Sequence, residues 1–462
     1  MTVPSVRDFR RGALRSALLL VTLVALGVSG QPSLGTTTLA AGTVDESHGY
    51  HRDAAHSGYD PATPAAGAMS VAWKARLDGR VYAATITAGG LAFAATENNT
   101  VYGLHLSTGT VAWARHLGQA VPGSMLPCGN ISPLGITGTP AFDTFTHQVF
   151  VVTTTPNGST IRHTLVGLDA TTGAVKTRQV VDPPGQSPLV ENQRGALALS
   201  RGRVLVPFGG HAGDCGAYHG WLVSAPVTGR GNITAFRAGS SGQAGMWQPA
   251  GPSVDPAGNV YVVTGNGAAT SGSWDGSNAV LKLDPVSLRL LAWFATSDWP
   301  QANANDADLG SSGAALVGSR IWIEGKTSRG YLLDQGNLGG VGHYVATTTS
   351  ACASQFGGAA VHGNTVYAPC TNGLRQITIT SGGGIQPGWR APAGVTGSPV
   401  VGGNEVWALD VGAGVLYALA ERTGAVHGSV TVGAVTRFAT PTLSGTLALV
   451  PTTTGVTAVR GA

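Results

Sequence analysis

Charge is scarce in this chain. Asp, Glu, Lys and Arg make up only 11% of its 462 residues, against about 25% in an ordinary globular domain. Lysine is nearly missing: Lys74, Lys176, Lys282 and Lys326 are the full set. The net charge of +4 misleads, because Arg7, Arg10, Arg11 and Arg15, less Asp8, supply +3 of it near the start. The remainder is close to neutral and has no basic stripe, which excludes a phosphate-neutralising nucleic-acid surface. No long segment carries the charged, Ala/Leu-rich periodicity of exposed helices. Cys128, Cys215, Cys352 and Cys370 form no C-x-x-C, so zinc, thioredoxin-like and c-type haem sites have no basis. There is no Ser/His/Asp order with a nucleophile elbow, and no Gly-rich phosphate loop opens a helix. The many Gly-x-Gly matches are turns.

What the chain has instead is glycine, 69 residues of it, with abundant Thr, Val and Ala. β-Branched residues suit a pleated surface and Gly supplies turn dihedrals, so the class is all-β. The stretch VYGLHLSTGTVAW from Val101 is one hairpin, and it recurs. TLVGLDATTGAVK follows from Thr164, AVLKLDPVSLRLLAW from Ala279 and VLYALAERTGAVHG from Val415. Each copy is preceded by another strand pair, such as GPSVDPAGNVYVVTGNG or GSPVVGGNEVWALD. The sum is eight four-stranded units, most beginning roughly 40 to 60 residues apart, which is the signature of an eight-bladed β-propeller with antiparallel blades. The eighth unit lacks an outer strand, and SVAWKARL at 70–77 is an unused strand with the ending of the others. Pairing the two would close the ring and remove two exposed sheet edges.

The beginning reads differently. Arg10-Arg11, an apolar run from Ala17 to Val28 and the small residues Ser29-Gly30 describe an export signal. The expected organisation is therefore a signal peptide over 1–30, a linker and lead-in over 31–67, and the propeller over 68–462. The lead-in portion HGYHRDAAHSGYDP is expected to lie on the underside of the ring. An even number of cysteines in an exported chain allows two disulfides. Cys352 with Cys370 would staple neighbouring strands, and Cys128 with Cys215 would join two loops; four free buried thiols are the alternative.

The pattern of VYGLHLSTGTVAW and LVGLDATTGAVK resembles the repeat of the pyrroloquinoline-quinone (PQQ) dehydrogenase-like propellers, the quinoprotein alcohol dehydrogenase-like superfamily. RDAAHSGYDP resembles the segment that opens many such exported proteins. GITGTPAFD, MWQPAGPSVDPAGNVYVVTGNG and DADLGSSGAAL are similar to a bacterial subgroup of exported PQQ-like repeat proteins. The resemblance implies the fold. It leaves function divided, because the superfamily holds both quinone-dependent dehydrogenases and non-catalytic scaffolds. A quinone dehydrogenase needs an aromatic floor and lid for the ring, a Ca²⁺ held by hard oxygens, and a carboxylate base. The adjacent cysteine pair that forms the lid in the alcohol dehydrogenases is missing here.

Four groups of residues are candidates. His211, Asp214, Tyr218 and His219 fall together on HAGDCGAYHGW, expected as a loop after an inner strand, and His with Asp so close can bind a metal or move a proton. The alternative is a loop fixed by its own hydrogen bonds and by Cys215. Trp247 and Gln248 precede the fourth inner strand, where a Trp stacks on a planar ligand or plugs the axis. Asp306 and Asp308, with Asn303 and Asn305, form an oxygen-rich stretch before the fifth inner strand that suits a cation or merely caps turns. Lys326 and Arg329 follow the apolar strand IWIEG; in quinone enzymes of this superfamily a basic residue in a comparable place contacts the cofactor, and a salt bridge of Lys326 with Glu324 or Asp334 is the alternative.

These observations lead to an exported monomeric propeller that acts as a non-catalytic binding or scaffold module, presenting one mouth of its axis to a protein partner or small ligand. A PQQ- and Ca²⁺-dependent sugar or alcohol oxidoreductase is the second reading. A carbohydrate-binding or hydrolytic propeller, which would need paired carboxylates facing the axis, is the third.

Overall fold

The computed structural model describes residues 46–461. The export signal over 1–30 and the first part of the lead-in lie outside the described residues. The rest forms eight sheets around four-stranded antiparallel blades, three of which carry a short fifth strand. Blade 1 runs Ile86–Ala88, Leu91–Ala95, Thr100–His105 and Val111–His116. Blade 4 begins at Ser253–Val254, blade 5 at Ala315–Val317 and blade 7 at Val400–Gly402. Blade 8 consists of Thr442–Ser444, Leu447–Thr452 and Gly455–Arg460, completed by Ser70–Arg76. The expected closure is present: Ser70 pairs with Arg460 and Arg76 with Gly455, antiparallel.

Sequence explains the layering. Inner strands begin with small residues because blades crowd toward the axis. Second strands are buried along their whole length, as in Val260–Thr264 and Leu447–Thr452, because both faces meet neighbouring blades. Tyr261, Val263 and Phe294 of blade 4 pack on Ile321, Ile323 and Leu333 of blade 5 in this way. Outer strands such as Val111–His116 face water.

Tryptophans on outer strands lock successive blades together. Trp73 of blade 8 lies on Gly109 in the Thr-Gly turn of blade 1 and donates its indole N–H to Leu106 O at 2.8 Å. Trp113 of blade 1 lies on Gly173 of blade 2 and bonds Ala170 O at 3.0 Å. Trp389 of blade 6 does the same with Gly424 and Glu421 O of blade 7. All three glycines have φ near +70°, and a Cβ on any of them would run into the indole, so glycine is required there for two reasons.

Two local details differ from expectation. The HAGDCGAYHGW loop follows the second strand of blade 3, Arg203–Gly210, rather than its inner strand. The segment after Gly330–Asp334 first runs to blade 4, where Gly340–Val341 pairs parallel to Phe294–Ala295, and only then returns as Ala346–Thr348. Hairpin periodicity in the sequence does not reveal such a detour.

The lead-in does more than lie under the ring. Ser47 bridges Thr87 of blade 1, and His48 O accepts from Phe142 N of blade 2. Ala54 O accepts from Val254 N of blade 4, Ser57 O from Val361 N of blade 6 and Gly58 O from Val401 N of blade 7. Tyr59–Asp60 then adds a parallel strand to blade 7. From this strap Tyr50 enters the axis, 1% exposed, among Ala84, Ala196 and Ala250. Its hydroxyl accepts from Gly358 N at 3.2 Å and Thr440 Oγ1 at 3.4 Å. His51 stacks on its ring at 4.2 Å. The axis is therefore closed at this end.

Candidate functional site

A register of three levels runs along the axis. On blade 1, Tyr82 faces the open mouth, Ala84 touches Tyr50 and Thr87 meets the strap. On blade 4 the corresponding residues are Trp247, Ala250 and Val254, and on blade 6 they are Phe356, Gly358 and Val361. The approaches to the inner strands thus line a funnel of about 820 Å³ above Tyr50.

Its walls are cationic and aromatic. Arg194 lies 4.3 Å over the Phe438 ring, and Arg437 lies 4.1 Å over Phe356. Trp247 meets Phe438 edge to face, with centroids 6.5 Å apart. Arg80, Tyr82 and Lys326 complete this character. Burial lowers the Arg194 guanidinium to about 10, against the pull of Tyr82 and Glu97, so it stays charged at neutral pH. Guanidiniums held over rings in a concave site suit a planar anion.

Lys326 sits between Asp306 Oδ1 at 2.7 Å and Asp308 Oδ2 at 2.6 Å, and 5.9 Å over the Trp247 ring. Burial works to lower its ammonium's affinity for the proton, but Asp308 and Asp306 outweigh it and the net direction is upward. Asp308 is 2% exposed, and its Oδ1 accepts from Asn266 N at 2.5 Å. Burial raises its carboxyl, and Lys326 and the Asn266 amide pull it back only in part. The salt bridge to Glu324 or Asp334 considered from the sequence is not the one formed, since Asp334 pairs with Arg320.

Of the residues singled out from the sequence, His211, Asp214, Tyr218, Trp247, Asp306, Asp308 and Lys326 come together around the funnel. Tyr218 donates to Asp214 Oδ1 at 2.6 Å. Burial raises its hydroxyl's pKa, and Asp214, Asp308 and Glu191 raise it further, which places three carboxylates around it. Burial drops His211 to about 4, so the imidazole is neutral. The other three go elsewhere. Gln248 closes its own turn, giving to Gly251 O and accepting from Gly251 N. The His219 ring bonds Gly239 O at 2.9 Å, and Arg329 is exposed, beside Tyr331. Asn303 is spent on Gly267 N, Asn278 and Ala269 O, while Asn305 caps the short helix Trp299–Ala304.

Sequence reasoning missed Arg80, Arg194, Arg437, Phe356, Phe438, Glu191 and Asn192. One signal could have found most of them: they sit shortly before an inner strand, in a chain where charge is rare. Glu191 is fully buried, with Oε1 on His219 N and Oε2 without a partner; burial pushes it up to about 8. Asn192 Oδ1 and His211 Nε2 are also buried without partners. Among the described residues no cluster of three or more His, Cys, Asp or Glu is arranged to hold a metal, so a cation here would draw on amide oxygens as well.

Both disulfides form. Cys352–Cys370 staples blade 5 to blade 6. Cys128–Cys215 ties the approach to blade 2 to the blade 3 loop, and Gly213 beside it lines the funnel. Disulfides fit an oxidising compartment. Among the described residues no helix is long and apolar enough to cross a membrane.

Fold and site together define an eight-bladed β-propeller with one closed mouth and one charged, aromatic funnel. Residues 65–289 match the family described as outer membrane protein assembly factor BamB. No curated protein matches its sequence. The fold is similar to that of quinohemoprotein alcohol dehydrogenase from Comamonas testosteroni, at 15% identity and TM-score 0.68, covering 90% of this chain and 80% of that one. It is similar also to a europium-containing methanol dehydrogenase, at 13% identity and TM-score 0.69, covering 90% and 98%. BamB from Moraxella catarrhalis matches at 16% identity and TM-score 0.57, covering 86% and 98%.

Proposed function

We propose that this chain is an exported oxidoreductase that uses PQQ and a divalent cation in its funnel to oxidise an alcohol or sugar. The observation that carries this reading is the arrangement of Trp247, Lys326 and Asp308: an aromatic face, a fixed cation beside it and a buried carboxylate bonded to that cation. The orphaned oxygens of Glu191 and Asn192 support it, since a cation would supply the partner they lack and draw the Glu191 carboxyl back down. PQQ, a planar tricarboxylic ortho-quinone, would supply a two-electron oxidant. Trp247 would stack on its plane, and Arg80, Arg194 and Arg437 would neutralise its carboxylates. Asp308 would accept the substrate's hydroxyl proton. The Cys128–Cys215 bridge would hold the rim where the dehydrogenases use adjacent cysteines.

This reading reverses the order reached from sequence, where missing lid and haem motifs weighed most. A non-catalytic binding module remains the second reading, favoured by the BamB family match. One experiment separates them. Purified protein is mixed with PQQ and Ca²⁺, and melting temperature and dye reduction with alcohols and sugars are measured. A tight cofactor stabilises by a few kcal/mol at saturation, and Trp247→Ala should abolish the shift. Absence of both the shift and turnover would refute the cofactor reading.

A further inference from the structure

We propose that a second cavity, of about 370 Å³, binds a small carboxylate or phosphate on Arg76 and Arg80. It lies beside the funnel, where the closing strand of blade 8 leaves the ring, next to the Thr96–Asn99 turn of blade 1 and the approach to blade 2. Arg80 and Thr453 line both cavities, whereas Arg76 lines only this one. Arg76 is therefore the residue that tells this site from the funnel, and Arg80 is shared between them.

Arg76 and Arg80 both line this space, and among the described residues neither guanidinium is in a salt bridge or hydrogen bond. In a chain so poor in charge, two guanidiniums without a hydrogen-bonded partner in one cavity call for an anion. The carboxylates nearby do not answer that need. Asp78 accepts from Thr96 Oγ1 at 2.7 Å and Thr100 Oγ1 at 2.5 Å, which leaves it engaged with the wall. Glu97 lies at the base, 2% exposed, with Oε2 on Gly135 N at 2.7 Å and Oε1 without a hydrogen bond. A protonated Glu97 would present a donor to an anion; an ionised one would repel it.

The groups facing Glu97 are Arg80 and Asp78 from its own blade, Arg194 from blade 3, Arg76 from the closing strand, and the Gly135 amide and Thr137 hydroxyl from the approach to blade 2. Burial raises its carboxyl to about 7, while Gly135, Thr137, Arg194 and Arg80 work against burial. Anion binding is therefore coupled to proton uptake near neutrality.

The test uses the purified full chain, without PQQ, titrated calorimetrically with lactate and with sulfate at pH 6 and pH 8. Both probes keep a constant charge over that range, and their relative affinity tells a carboxylate site from a phosphate-like one. If only the protonated form of Glu97 is competent, affinity should fall about tenfold between the two pH values. Arg76→Gln, an exposed change that does not touch the funnel, should weaken binding about tenfold at both. Glu97→Gln should keep binding and lose the pH dependence. No binding of either probe at pH 6, or unchanged affinity in Arg76→Gln, overturns the site. Persisting pH dependence in Glu97→Gln overturns the proton coupling. Loss of PQQ binding has no bearing on either outcome.

Discussion

The two mouths of the propeller are bordered by the same eight inner strands, yet one is closed and the other open. At the closed mouth a strap over 46–60 spends its backbone on five blades and drops Tyr50 into the axis. Its buried histidines are neutral, and its buried Asp60 is paired with Arg52 of the same strap. Burial lowers His51 to about 4 and His56 to about 3, and the His51 charge would lower His56 further. At the open mouth the funnel is lined by buried Asp308 and half-buried Lys326 and Arg194, with buried Glu191 next to the lining residue Asn192. One end is organised as a core and the other as a site. Desolvated ionisable groups concentrate where a ligand can compensate them.

The largest way to break this contrast is to remove the closure. Tyr50→Ala empties the centre of the axis and should cost about 3–5 kcal/mol in denaturant unfolding. A variant that melts like the parent would mean that Tyr50 is not part of the core. Next comes the open mouth. Lys326→Met leaves two carboxylates without their shared cation and should cost about 2–4 kcal/mol at pH 8. Much of that loss should return as pH falls, because burial raises the Asp308 carboxyl and the loss of Lys326 raises it further, so it takes up a proton.

The pH dependence of stability should carry both mouths with opposite signs. His51 and His56 bind protons more weakly folded than unfolded, so their contribution is complete above about 6.5 and is lost as pH falls toward 4. Glu191 binds its proton more tightly folded than unfolded. Its contribution is complete below about 4.5 and is lost as pH rises through about 8. Melting temperature should therefore peak between these limbs. Glu191→Gln should flatten the alkaline limb alone, by a few degrees.

Smaller effects separate the lock between blades from ordinary turns. Gly109→Ala meets the Trp73 ring and a φ of +71°, and should cost about 2 kcal/mol. Gly89→Ala has a similar φ but open space, and should cost only about 1 kcal/mol. Equal losses would show that the indole yields. Smallest of all, Arg329→Ala should change stability by less than about 0.5 kcal/mol and leave ligand binding untouched, because the side chain is exposed and outside the funnel.

Which of these features sequence could reveal follows from their range. The blades were legible because each is a local hairpin pair with period-2 alternation, and the closing ribbon because one strand lacked a partner. Trp247 and Lys326 were legible as unusual residues near inner strands. Their company was not, because Arg194, Phe356 and Arg437 meet only across the axis, and no local pattern encodes a contact between blades 3, 6 and 8. Adjacent residues also diverge: Trp247 faces the funnel while Gln248 turns back to Gly251. Tyr50 was hidden for a related reason. Its segment, rich in His, Asp and Arg, is expected under the ring, but nothing local shows that Tyr50 enters the axis, where bonds to strands far along the chain bury it.

The pairing of Ser70 with Arg460 sets an order of events. A ribbon formed early must wait, with its edge unmet, until the final blade exists. Closure of the ring is thereby tied to synthesis of Gly455–Arg460, and a chain interrupted before it would keep an open seam that neighbouring molecules could invade. The latch works as a checkpoint on integrity as well as a fastener.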